Sequence, residues 1–120
     1  MSLKKLMENK ILNEKMKDVY KKMKNNEYGA AYESVRDILD FINKKFIMKI
    51  YNIDLKDAST ISASKIYFEK DKRLFEYMLS LNDEYNTINY LDIMPEDVDF
   101  LISYLDCIYN YMFDTYGEFM

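Results

Sequence analysis

Residues 26–50, NEYGAAYESVRDILDFINKKFIMKI, constrain this chain more than any other stretch. Ala31, Val35, Ile38, Leu39, Ile42 and Phe46 fall at offsets of 0, 4, 7, 8, 11 and 15. An α-helix returns to the same side at those intervals, so the spacing predicts a helix with one buried face. Glu33, Arg36, Asp37, Asp40 and Lys44 populate its other side. Over 46–51 the run is apolar nearly all round, and this end is expected to be the more deeply enclosed.

The other stretches repeat the pattern. Over 6–24, Ile11, Leu12, Met16, Val19, Tyr20 and Met23 form an amphipathic stripe. Asn25, Asn26 and Glu27 lack an apolar anchor, and asparagines suit helix ends, so a tight turn leads into the helix over 28–51. A third helix is expected over 71–90, with Leu74, Met78, Leu81, Tyr85 and Ile88 inward. A fourth is expected over 95–116, opened by Pro95, whose missing N–H costs nothing at the first helical position. Its stripe is Val98, Leu101, Ile102, Leu105, Ile108, Tyr109, Met112, Phe113 and Tyr116, and Gly117 is a natural stop. The segment 54–70 is rich in Ser and Thr, which compete for backbone hydrogen bonds. It reads as a loop with at most one short helix, from which Ile61, Ile66, Tyr67 and Phe68 tuck back onto the core. With two glycines and one proline in 120 residues, long helices with few connections are favoured over tight turns. The expected fold is all-α, a single-domain antiparallel four-helix bundle.

Charge and missing residue types weigh against several function classes, and a nucleic-acid partner is possible but not favoured. Net charge is −4, whereas nucleic-acid binders rely on a basic excess to neutralise phosphates. The charge is uneven. Eight lysines lie in 4–24, while 83–120 contains nine acids and no Lys or Arg, so a basic first helix is expected beside an acidic last one. There is no histidine, which removes the usual general base and the commonest metal ligand. Asp37 with Asp40, and Glu96 with Asp97 and Asp99, lack the Glu-x-x-His partners of a di-metal bundle site. Acids after Pro95 are what the helix dipole favours. The two glycines form no phosphate loop. The lone Cys107 excludes an intramolecular disulfide and is expected to be a small buried residue. No cofactor or metal is expected. Without a leader pattern or a span of about 20 apolar residues, a cytoplasmic protein with no membrane association is expected.

The twelve tyrosines supply the interaction candidates. Tyr109 and Tyr116 lie on the apolar stripe of 95–116, but Tyr104 and Tyr111 share a different face. One bundle core buries one stripe, so Tyr104, Tyr111 and Ile108 are expected to form a flanking patch. Tyrosine is enriched in interface cores. A two-fold homodimer through this patch is the expected partnership.

Two motifs resemble the HEPN superfamily, small four-helix bundles that act in RNA cleavage, toxin–antitoxin pairs and antiviral defence. Ala31-Tyr32-Glu33-Ser34-Val35-Arg36-Asp37-Ile38-Leu39-Asp40 is similar to the family's alanine, arginine and leucine-acid pattern. Residues 82–90, just before the last helix, sit where many members carry arginine, asparagine and histidine. Asn86 matches the asparagine, but Asn82 replaces the arginine and Tyr90 the histidine. The resemblance therefore implies a HEPN-like fold with a degenerate site around Arg36, Asn86 and Tyr90. The expected function is a non-catalytic protein-interaction module in phage defence, a toxin–antitoxin pair or viral counter-defence. The alternatives are a ribonuclease with an atypical site and a helical adaptor with a groove for a partner helix.

Overall fold

The computed structural model describes residues 3–120. Among these lie six α-helices and no strand, as expected of an all-α chain. They are α1 (Lys4–Glu8), α2 (Lys10–Lys24), α3 (Tyr28–Phe46), α4 (Thr60–Lys70), α5 (Lys72–Thr87) and α6 (Pro95–Tyr116), with a π-helical turn, Ile47–Tyr51, extending α3. No helix among the described residues is long and apolar enough to cross a membrane.

Side-chain caps explain where the helices differ from expectation. The first helix is broken at Asn9, whose backbone is extended and whose Oδ1 accepts from the Leu12 N–H at 3.0 Å. An asparagine that satisfies a helix start competes with its own place inside the helix. The connection after α2 is a Schellman closure: Asn26 takes φ 60°, and the Asn26 and Glu27 N–H groups donate to the Met23 and Lys22 carbonyls. Asn52, at φ 56°, ends the π-helical turn in the same left-handed region. That turn is less enclosed than its composition suggests: Ile47 is buried, but Met48 and Lys49 face outward.

The largest correction falls on 54–70, read as a loop, where α4 occupies Thr60–Lys70. Its Ser and Thr residues sit where they help a helix. Ser59 accepts from the Ser62 N–H, the Thr60 hydroxyl donates to Asn82 Oδ1 at 3.0 Å, and the Ser64 hydroxyl turns back to the Ile61 carbonyl. Thr60, Ala63, Ser64 and Tyr67 then form the buried side, leaving Ile61 and Phe68 outward. Asp71 alone separates α4 from α5, in extended conformation, accepting from the Arg73 and Leu74 N–H groups.

The chain divides into two compact units, with the boundary inside α3. The first comprises Met1–Leu39 and Asn89–Gly117. Its core is Leu12, Met16 and Val19 of α2, Ala31 to Leu39 of α3 on one face, and Val98, Leu101, Leu105, Ile108 and Met112 of α6. Each of the larger aliphatic side chains contributes about 1.5–3 kcal/mol by leaving water. The short α1 packs against α2 and α6, and Lys5 pairs with Asp114, which places the basic N-terminal segment beside the acidic last helix. The second unit comprises Asp40–Ile88 and Glu118–Met120. The α4–α5 hairpin packs with Phe46, whose ring meets Tyr67 and Phe119 edge-on at centroid distances of 6.1 and 5.2 Å. Asn43 is fully buried here, its Oδ1 accepting from the Tyr67 hydroxyl at 2.8 Å and its Nδ2 facing Met78 Sδ at 3.4 Å.

Candidate functional site

Arg36 and Tyr90, two of the three positions picked out by the resemblance, meet in the first unit. Arg36 Nη1 donates to the Tyr90 hydroxyl at 2.9 Å, across 54 positions of sequence. The guanidinium carbon also lies over the Tyr90 ring, 5.9 Å from its centroid, at the outer edge of the cation–π range. Tyr32, buried in α3, meets the Tyr90 ring at right angles with centroids 6.2 Å apart. Around them opens a surface pocket of about 330 Å³ lined by Gly29, Tyr32, Glu33, Arg36, Tyr90 and Ile93. Asn86 lies exposed on the last turn of α5, in the second unit.

The pocket offers a cation, a phenol hydroxyl and one carboxylate. Glu33 sets a negative charge beside Arg36 and opposes an anionic ligand. Nothing in this set is a near-neutral base of the kind that activates a hydroxyl nucleophile. Among the described residues, no group of three His, Cys, Asp or Glu is placed to hold a metal ion. Asp97, one of the acids weighed for that role, accepts from the Met94 N–H at 2.8 Å and closes the start of α6.

The second candidate is the outer face of α6, and the structure changes its membership. Ile108, expected on the flank, is fully buried. It lies seven residues after Leu101, three after Leu105 and four before Met112, which is the core stripe itself. Cys107, expected inside, is exposed. Tyr116, expected inside, is only half-buried. What lies outside the core is Phe100, Tyr104, Cys107 and Tyr111, at offsets of 0, 4, 7 and 11. Phe100 is 49% exposed and its ring meets Tyr104 edge-on at 5.2 Å. Glu96, Asp97, Asp99 and Asp114 surround this stripe, and no basic residue occurs on α6.

A carboxyl sits inside the same helix. Asp106 is 5% exposed, and burial pushes its proton affinity up, partly offset by the Asn110 side chain, which donates to it at 3.1 Å. Tyr20 of α2 is in turn raised by its own burial and by the charges of Asp99 and Asp106.

A third face was missed by sequence reasoning because its helix was. On the α4–α5 hairpin, Phe68 is 68% exposed, and its ring meets Phe75 edge-on at 5.1 Å. Ile61, one stripe position before Phe68, and Leu79, four residues after Phe75, are also exposed. Lys65 and Lys72 lie on the same side of their helices as these apolar positions, together with Glu69, Glu76 and Asp83, so the face has mixed charge.

No family model, no curated protein and no solved structure matches this chain.

Proposed function

We propose that this chain is a non-catalytic protein-interaction module that self-associates, with the outer face of α6 as its docking surface. The observation that carries this reading is the Phe100, Tyr104, Cys107 and Tyr111 stripe, which runs along α6 outside the core at the 3- and 4-residue spacing of a helix-pairing seam. Aromatic residues at that spacing are what an interface core is made of. The absence of histidine from the sequence, and of any strong base beside Arg36 and Tyr90, supports binding over catalysis. We read the four longest helices, α2, α3, α5 and α6, as a HEPN-like antiparallel four-helix bundle, and this reading, like a role in defence or counter-defence, rests on the motif resemblance alone. Sedimentation velocity at tens of micromolar tests the reading: wild type associates, and Tyr104→Glu with Tyr111→Glu is monomeric. A monomeric wild type contradicts it.

One observation favours a second reading. The hydrogen bond between Arg36 and Tyr90 assembles a donor-bearing pocket where the resemblance puts an RNA site. A ribonuclease with an atypical centre requires RNA cleavage by purified protein, abolished by Arg36→Ala or Tyr90→Phe. The interaction-module reading expects RNA to remain intact with all three proteins.

A further inference from the structure

We propose that the pocket on the outer side of the C-terminal end of α3 binds a small organic anion, one that carries a single negative charge on a short apolar body, as a medium-chain carboxylate does. The pocket lies wholly in the second unit, does not involve α6, and stands whether or not the chain self-associates.

A lone helix has ridges and grooves but no pocket. The second wall here comes from the way α3 ends. Phe41, Lys44, Lys45 and Met48 fall at offsets of 0, 3, 4 and 7, one outward stripe that runs from α3 into the π-helical turn. The chain then reverses at Asn52, in the left-handed region, where the Asn52 N–H donates to the Met48 carbonyl at 3.0 Å. The reversal brings Asp54 to the stripe, and the five side chains line a pocket of about 310 Å³. That volume is at the lower end of the roughly 300–1,000 Å³ of small-molecule sites. π-Helical turns are rare and recur at functional sites.

The lining selects the ligand. Phe41 is half-buried and Met48 is 43% exposed, so together they offer an apolar wall still open to water. A thioether adapts its shape to what covers it. Lys45 Nζ lies over the Phe41 ring, 5.5 Å from its centroid, which keeps one ammonium against the apolar wall. Lys44 supplies a second ammonium. An alkyl or aryl body laid on Phe41 and Met48 therefore sets its acid group between two cations. Asp54 is the one acid of the lining, which leaves a single positive charge in excess. Asp37, Asp40 and Lys49 stand outside it. One excess charge suits one carboxylate or sulfonate, whereas a ligand with several phosphates would set its further charges against Asp54.

Methyl-labelled methionine tests this in the whole chain. The Met48 methyl, assigned by its loss in Met48→Leu, is followed by NMR during titration with octanoate and, separately, with octanamide, its neutral isostere. Octanoate is expected to shift the Met48 methyl saturably and to bind about fivefold tighter than octanamide, the scale of exposed ion pairs. Lys44→Gln with Lys45→Gln should remove that preference and leave helix content unchanged by circular dichroism, since both side chains are exposed. A Met48 methyl that does not move, or that moves in proportion to ligand without saturating, overturns the proposal. So does equal affinity for octanoate and octanamide, or a preference that survives the loss of both lysines. None of these outcomes bears on α6, whose docking role is read by sedimentation.

Discussion

Asp106 is the residue whose ionisation most directly touches stability. Its carboxyl is buried in α6, and burial raises its proton affinity in the folded chain. The folded state therefore binds this proton more readily than the unfolded state. Its contribution to stability is fully present below the ordinary carboxylate pKa and is lost as pH rises through the raised value. At neutral pH the ionised form is a cost, so Asp106→Asn, which keeps an acceptor for Asn110, is expected to raise the melting temperature. The gain should shrink as the solution is acidified, and thermal melts of both proteins across that range check it. Equal gains at all pH values would show that the ionisation is not responsible. Asn43 poses the opposite case, a buried polar group whose partner is in place. Tyr67→Phe removes the hydroxyl that donates to its Oδ1. An unsatisfied buried acceptor costs about 1–3 kcal/mol, measurable by urea unfolding, and Tyr67→Phe with Asn43→Leu should recover part of the loss.

At the scale of the helix, periodicity located α6 to the residue because Pro95, the acids after it and Gly117 mark its ends. Leu39 and Leu105, both fully buried, follow from the same stripes. Leu39→Ala and Leu105→Ala are each expected to lose about 2–5 kcal/mol of unfolding free energy, and losses below about 1 kcal/mol at both sites would contradict the assigned faces. What periodicity could not deliver was α4, whose buried positions include Thr60 and Ser64 and so leave no continuous apolar stripe. Its polar residues are accommodated by Ser59, Ile61 and Asn82, partners that tertiary structure supplies. Asn9 was equally ambiguous, since an asparagine is tolerated inside a helix and favoured at its start. The placement of Ile108 was legible and misread. The stripe Leu101, Leu105, Ile108 and Met112 lies one residue along from Phe100, Tyr104, Cys107 and Tyr111, and only the first faces the core. The meeting of Arg36 with Tyr90 was suggested by motif resemblance and by nothing in the periodicity, because helix patterns do not say which distant loop lies over which helix.

For the whole molecule, the proposal to be tested is self-association through the outer face of α6. The last helix carries acids and no base, and its Phe100, Tyr104, Cys107 and Tyr111 stripe lies outside the core. The most direct test uses the one cysteine. Cys107 lies in the middle of the α6 stripe and is exposed in the single chain, so the rate at which a maleimide labels it reports whether that face is covered. The rate should fall as wild-type concentration rises into the tens of micromolar, and should be independent of concentration in Tyr104→Glu with Tyr111→Glu. A wild-type thiol that labels at the same rate at every concentration, while sedimentation shows association, would place the contact elsewhere and contradict the assignment of α6 as the docking surface.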